Sequence, residues 1–381
     1  MKPIKAGIVG TGFSAIAHIE ALRRIPGATV WGIAGRERAK AEQVADEMGI
    51  PNVYDDYQAM IDDPEIEIIH NCTPNALHYE INKQALHAGK HILSEKPLAV
   101  TSAESLELAE LAQQVNVRSG VCFNYRHYPM VSEAREFLRK EENGEVIHVQ
   151  GSYLQDWLLY ESDYSWRLDP DLNGPSRAIA DIGSHWCDAV QHVLGRQITE
   201  VCADLKTAHA HRQRPLVQGT TFQTAEGAEC EEVAVTSEDY GSVLIRFDDG
   251  VQGVFTVSQV AAGRKNRLVF EIAAGQSAVA WDQERPNELW IGRRGQANEV
   301  ILKDPETLSK RSARLAHYPG GHQEGWPDGL KNLCRDFYSH VRDPRQPHSY
   351  ATFSQGHQLM RLVEAILCSH EERRWVTVQQ D

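Results

Sequence analysis

The chain has 381 residues, more than the roughly 250–300 at which a single hydrophobic core stops growing, so two domains are expected. A composition of 41% hydrophobic and 24% charged residues excludes a disordered, collagen-like or low-complexity chain, and no apolar run approaches the about 18 residues of a membrane-spanning helix. A net charge of −14 argues against nucleic-acid phosphates or anionic membrane as partners, leaving room for a local basic pocket.

In chain order, residues 4–9 form a short β-rich run that stops at Gly10-Thr11-Gly12, and a helical pattern follows over 13–25. A buried strand is expected over 29–34, a helix over 38–48, a strand over 65–72 and a helix over 78–88 closed by Gly89. Residues 91–93, 102–116 and 118–123 continue as strand, helix and strand. Strands alternating with helices of this length make parallel βαβ units, so a doubly wound sheet should end near residue 125.

The rhythm then changes. A helix is expected over 129–140, a strand over 145–153, an aromatic-rich irregular segment over 154–180 and a helix over 181–194. Several strands should fill 198–302, with a turn at Asp248-Asp249-Gly250, which suggests an α+β domain with a mostly antiparallel sheet. Residues 208–230 look like an exposed insertion, and helices over 325–341 and 354–372 close the chain. The domains are accordingly placed at 1–125 and 126–381.

Seven cysteines stand at 72, 122, 187, 202, 230, 334 and 368, with no CxxC pair. That argues against a disulfide framework and a structural zinc site, and no metal is expected. The opening MKPIKAGIVG lacks a leader pattern, so a reduced, cytoplasmic setting is expected.

Gly10-x-Gly12-x-x-Ala15 lies between a strand and a helix. The first glycine permits the tight turn, and the second lets a pyrophosphate approach the helix N-terminus, where amide N–H groups favour an anion. Gly10, Thr11, Gly12, Phe13 and Ser14 are therefore assigned to a dinucleotide. An NAD site usually ends its second strand with an acid, but 29–36 contains none and ends in Gly35-Arg36. Arg36 could pair with a 2′-phosphate, which leans the cofactor, NAD(P), toward NADP; alternatively Arg36 is exposed, or stacks on adenine, while NAD binds. Thr73-Pro74-Asn75 and Glu95-Lys96-Pro97 follow later strands, at ends where doubly wound sheets bind ligands.

These motifs continue through His78, Ala88-Gly89-Lys90-His91, Asn124-Tyr125-Arg126, Asp181-Ile182-Gly183-Ser184-His185 with Asp188, and the Gly356…Trp375-Val376 stretch. Together they resemble the glucose-fructose oxidoreductase / inositol dehydrogenase / rhizopine catabolism family (Gfo/Idh/MocA) over nearly the whole chain. The resemblance implies a Rossmann nicotinamide domain, a cis bond before Pro97 and an α+β domain with an open sheet. The free face of that sheet would pack on another subunit in a homodimer or homotetramer. It also implies oxidation or reduction of one carbon of a sugar, sugar derivative or cyclitol, with Lys96, Asp181 and His185 around the reacting carbon. Thr73, Pro74, Asn75, His78, Glu95, Lys96 and Asn124 would join the cofactor set. Other readings are a cofactor-binding sensor of the same fold, or a reductase of another carbonyl.

The chemistry suits these residues. Alcohol oxidation needs a base, and a histidine has an unperturbed pKa of about 6.5. Asp181 and His185, four residues apart, share a face if that turn is helical. Lys96 would stabilise an alkoxide-like oxygen. Against this, His185 could be a buried helix-start histidine and Asp181 a plain N-cap. Trp157, Tyr160, Tyr164, Trp166 and Arg167 precede this turn, where aromatic faces could stack on a sugar or pack on the sheet. Tyr125, Arg126, Trp166, Arg167 and His322, in Gly320-Gly321-His322, are the substrate-side candidates.

Overall fold

Continuous runs of β-branched residues become strands buried on both faces, as parallel sheets require. In the computed structural model, which describes residues 2–216 and 229–379, such runs build a seven-stranded sheet. Its order is Ala351–Thr352, Ser119–Val121, His91–Ser94, Ile68–Asn71, Ile4–Val9, Ala28–Ala34 and Asn52–Val53. The pairs are parallel except for Ala351–Thr352, which runs antiparallel to Ser119–Val121. Ala6, Ile8, Ile33, Ile68, Ile69, Ile92 and Leu93 are fully buried at its centre.

The register of this sheet sets out the functional edge. Val9 pairs with Ala34 and Asn71, Asn71 with Ser94, and Ser94 with Val121. These strands therefore end in one row, and Gly10, Gly35, Cys72, Glu95 and Cys122 leave from the same edge. Carboxyl ends of such strands are where open α/β sheets bind ligands.

The chain divides into two compact units. The first is Met1–Asn124 with Asp171–Gly174 and Pro327–Met360; the second is Tyr125–Pro170 with Pro175–Trp326 and Arg361–Asp381. A single cut near residue 125 thus misses a return of the chain. Helix Trp326–Arg342 buries Leu333, Cys334, Phe337 and Tyr338. A Cβ at Gly120 would meet Tyr350 and Phe337 at 2.9 and 3.2 Å, so the sheet strand carries glycine where these rings lie on it.

The second unit holds a nine-stranded sheet in the order Glu299–Leu302, Glu288–Gly292, Ala278–Asp282, Arg267–Ala274, Val146–Leu154, Gln252–Ser258, Tyr240–Phe247, Ile198–Lys206 and Val376–Thr377. Val146–Leu154 and Gln252–Ser258 are parallel and the other neighbours antiparallel, the mostly antiparallel sheet expected. Along Tyr240–Phe247 burial alternates: Val243, Ile245 and Phe247 point inward, while Tyr240 and Leu244 are exposed. Helix Ser184–Leu194 lies on the inner face. Its Trp186 stacks on Phe255 at 4.6 Å between ring centroids and donates Nε1–H to the Val269 carbonyl at 2.9 Å. A Cβ at Gly151 would meet Trp186 Nε1 at 2.5 Å, so the indole seats only over glycine.

The segment 208–230 is corrected in its described part. His211–Pro215 pairs antiparallel with Cys230–Ala234, and Arg212 is fully buried rather than exposed. Residues 217–228 of that segment lie outside the described residues.

Candidate functional site

In the first unit, Gly10 adopts φ +120°, and a Cβ there would meet the Cys72 carbonyl oxygen at 2.5 Å. Only glycine lets these two strand ends approach so closely. Gly12 is the N-cap of helix Phe13–Arg23, gives it no side-chain cap, and has no atom within 4 Å of where a Cβ would stand. The helix has no acid in its first turn. An uncapped N-terminus with open space before it suits an anionic pyrophosphate. Gly35 packs on Thr11, whose Cγ2 would lie 2.7 Å from an added Cβ. Arg36 is exposed, with its guanidinium 3.3 Å from the Glu37 carboxylate.

Thr73 donates its hydroxyl to Asn71 Oδ1 at 2.7 Å, and Pro74 caps the short turn Asn75–Leu77. Among the described residues, the buried Asn124 side-chain nitrogen has no hydrogen-bond partner. The Lys96–Pro97 bond is cis, and Lys96 is half-buried. Its backbone N–H donates to the Glu95 carboxylate at 3.2 Å. Glu95 also meets His18 Nε2 at 3.2 Å; His18 Nδ1 lies 2.7 Å from His70 Nδ1, and His70 Nε2 lies 2.9 Å from the Tyr338 hydroxyl. An ionised carboxylate only accepts, so His18 Nε2 carries hydrogen. With His18 neutral, its Nδ1 accepts from His70 Nδ1–H, and His70 Nε2 accepts from Tyr338. Every donor in this buried chain then points toward Glu95. Burial alone would raise the Glu95 carboxyl; the hydrogen bonds from His18 and from the Lys96 N–H, with the Lys96 charge, outweigh it and bring it down to about 2.

In the second unit, residues Ile179–Gly183 form a π-helical turn that leads into helix Ser184–Leu194. Asp181 lies within that turn, with its N–H on the Arg177 carbonyl at 2.7 Å, so it is not the N-cap. Gln259 Nε2 donates to the Asp181 carboxylate at 2.9 Å, and Arg167 Nε lies 3.5 Å from its other oxygen. The Arg167 guanidinium sits 4.6 Å from the Trp166 ring centroid and 5.9 Å from that of Trp157, within cation–π range. Its Nη1 is buried and has no hydrogen-bond partner among the described residues. His185 is buried on the first turn of the helix, and Tyr125 meets its ring edge-on at 5.0 Å. An acceptor held by two donors, an imidazole four residues on and an unsatisfied donor beside them can grip a polyhydroxylated molecule and take up a proton.

Comparison with known proteins agrees with this geometry. Residues 4–123 match the oxidoreductase family with an NAD-binding Rossmann fold, and 131–277 match the GFO/IDH/MocA C-terminal domain. Levoglucosan dehydrogenase of Pseudarthrobacter phenanthrenivorans is 30% identical over 100% of this chain and 99% of its own.

The chain belongs to the Gfo/Idh/MocA oxidoreductase family.

A structure of levoglucosan dehydrogenase in complex with NADH and levoglucosan superposes with a TM-score of 0.88 at 27% identity, covering all of both chains. D-xylose 1-dehydrogenase (NADP(+)) 2 of Haloferax volcanii is 30% identical over 50% of this chain and 57% of its own. Within this Gfo/Idh/MocA chain several expected ligand contacts have other work. Arg126 is buried and makes a two-point ion pair with Asp188, its Nε 3.0 Å from Oδ2. Tyr125 is buried in a ring of hydrogen bonds: Asn266 Nδ2 donates to Tyr125 at 3.0 Å, Tyr125 to Tyr153 at 2.7 Å, and Tyr153 to Asn266 Oδ1 at 2.6 Å. The ring nitrogens of His78 lie 2.6 Å from the Pro97 carbonyl and 2.9 Å from the Thr73 carbonyl, and burial, which lowers its pKa, favours a neutral ring that donates to one of the two. The Asn75 amide is held by Asn173, at 3.1 Å from its carbonyl and 2.9 Å from Oδ1. His322 is exposed, its Nδ1 3.3 Å from the Gly320 carbonyl.

Sequence reading missed His18, His70, Tyr338 and Gln259. A histidine within the buried strand Ile68–Asn71 and another on the buried face of a helix, beside Ala15 and Ile19, are the available signal. It also missed two groupings of possible metal ligands. His18, His70 and Cys334, and His18, Glu95 and Cys122, bring ligand atoms within 4.8 Å of one another. Their separation along the chain hid them. Burial pushes the Cys122 and Cys334 thiols up, away from the thiolate a metal takes.

Proposed function

We propose that the protein is a cytoplasmic NAD(P)-dependent dehydrogenase that oxidises one secondary hydroxyl of an uncharged sugar, anhydrosugar or cyclitol. The observation that carries the reading is the π-helical turn of the second unit. It sets Asp181, with the unsatisfied Arg167 donor beside it, four residues before a buried histidine. The first unit fits a dinucleotide through the Gly10–Cys72 approach, the open space at Gly12 and the partnerless Asn124 donor. Gly10, Thr11, Gly12, Phe13 and Ser14 would hold the pyrophosphate, Gly35 and Arg36 the adenosine ribose, and Thr73, Pro74, Glu95, Lys96 and Asn124 the nicotinamide half. Arg36, exposed at a strand end without an acid, favours a 2′-phosphate and hence NADP.

The bound nicotinamide supplies the hydride acceptor. His185 takes the hydroxyl proton as general base. Lys96 stabilises the oxygen as negative charge develops, and the protonated His185 returns the proton in the reverse direction. Asp181 accepts from a substrate hydroxyl and fixes its position. Arg167 donates Nη1–H to a second oxygen, with Trp166 flanking it.

The outward face of the nine-stranded sheet carries Leu244 and Val254, cross-strand partners that are both exposed. A second copy of the chain would cover them in a homodimer or homotetramer; light scattering that gives a monomer mass would contradict this.

The test is initial-rate formation of reduced cofactor, with NAD⁺ and NADP⁺ separately, against free sugars, anhydrosugars including levoglucosan, glycosides, inositols and sugar phosphates. Turnover of a neutral member is expected. Silence across the set, with cofactor binding still seen by fluorescence, would overturn the reading.

A further inference from the structure

The segment 208–230 finds no place in the mechanism above, yet its described root is joined to Asp181 by buried side chains. Arg212 lies on strand His211–Pro215 and is fully buried. Its Nη1 donates to the carbonyls of Tyr160 at 2.8 Å and Asp163 at 3.2 Å, and its Nη2 to the carbonyl of Leu158 at 2.9 Å. The same Nη2 reaches Asp239 Oδ1 at 2.8 Å. Asp239 accepts on that oxygen from Arg177 as well, and on Oδ2 from the N–H groups of Ala208 at 2.6 Å and His209 at 3.2 Å. Arg177 Nη1 donates to Gln259 Oε1 at 2.8 Å, and Gln259 Nε2 donates to Asp181 Oδ2 at 2.9 Å.

The direction of each link follows from donor chemistry. A guanidinium has no acceptor, so Gln259 must turn its oxygen to Arg177 and its NH₂ to Asp181. Arg177 is itself held on a second side, by Asp239. Two guanidiniums and two backbone N–H groups converge on the Asp239 carboxylate. Ions this buried carry a large desolvation penalty unless they are paired, so each of these side chains is held by the charge of its neighbour. The loop that carries Trp157, Trp166 and Arg167 is tied to the same point, because Arg212 closes the 158–163 turn. His209 and Gln213 reinforce it, on Leu159 at 2.9 Å and Glu161 at 3.1 Å.

We propose that Arg212 is a positioning residue. From the root of the His211–Pro215/Cys230–Ala234 hairpin it locks Asp239, and through Arg177 and Gln259 it sets where the Asp181 carboxylate points, while fixing the 158–163 turn. The hairpin is thereby part of the substrate-side machinery, not an appendage. The inference rests on the reading of Asp181 given above.

The test compares Arg212→Met, Gln259→Met and the double variant with wild type on the sugar that the wild type turns over. Each single variant should lose kcat by about 10–100-fold with NAD(P)H affinity unchanged by fluorescence titration. The primary isotope effect with a C-deuterated sugar should rise, since misdirecting Asp181 slows the chemical step; a merely structural role would not move it. The double variant should be no worse than the more severe single, because both cut one chain. Gln259→Met removes no ion pair and keeps the test open if Arg212→Met does not fold. Wild-type kcat in Gln259→Met, or additive losses in the double variant, would overturn the proposal. Asp181→Asn separates the two levels: if it is inactive while the others are normal, only this inference fails, and if it is active the reading of Asp181 fails with it.

Discussion

His185 carries the proton in this account, and its place can be tested alone. His185→Ala should lower turnover by roughly 10²–10⁴-fold while fluorescence titration shows unchanged cofactor binding. An active variant would remove the histidine from the mechanism. Arg36→Ala should weaken NADPH binding and leave NADH binding nearly as it was; equal effects on both would remove the 2′-phosphate role. The signals that point to such residues are local: a glycine between strand and helix, a lysine after a strand, an aspartate and a histidine one turn apart. Arg126 was not legible as an ion-pair partner. Its carboxylate, Asp188, lies 62 positions away, and nothing local says whether a guanidinium faces a ligand or another buried side chain. The partners of His78 and Tyr125 were hidden for the same reason, since the carbonyls and phenols beside them come from other segments.

The strand–turn–helix at Gly10 and the turn at Arg126 carry predictions at the scale of elements. Gly10→Ala places a methyl 2.5 Å from the Cys72 carbonyl at φ +120°. It should weaken dinucleotide binding at least tenfold, about 1.4 kcal/mol, in the same titration. Arg126→Ala leaves Asp188 buried without its counter-charge, and burial already raises that carboxyl. Stability should fall by about 3–5 kcal/mol in urea unfolding, and a loss below 1 kcal/mol would show that the pair is not what holds this turn to helix Ser184–Leu194. The alternation of strands and helices was readable throughout the first third, because hydrophobic period separates the two. The π-helical turn was not, since nothing in Ile179–Gly183 distinguishes it from an α-helical start. Strand His211–Pro215 reads as part of an exposed insertion over 208–230 because its residues are polar, and the burial of Arg212 depends on Asp239 beyond the segment.

For the whole molecule, acid should act through carboxyls held low in both units. Glu95 is brought to about 2 as described, and Glu324 also, where burial is outweighed by hydrogen bonds from His317 and Lys303. Unfolded, such groups titrate near ~4.3, so the unfolded chain binds protons first. Their stabilisation is present above that value and lost as pH falls from ~4.3 through 2, on the order of 3 kcal/mol apiece. Melting temperature should therefore drop steeply between pH 4.5 and 2, less steeply in Glu324→Gln; a flat profile would contradict these shifts. Two-domain architecture and both sheet types followed from length and period, but the return of Pro327–Met360 to the first unit did not, because a helix does not announce which sheet it will cover. The measurement that reaches the central claim most directly follows the hydride. The protein is supplied with NAD(P)⁺ and a neutral sugar deuterated at its ring carbons, and the reduced cofactor is weighed by mass spectrometry. One deuterium is expected on the nicotinamide, transferred as deuteride, and none in Lys96→Ala; reduced cofactor without the label would contradict hydride transfer from the sugar.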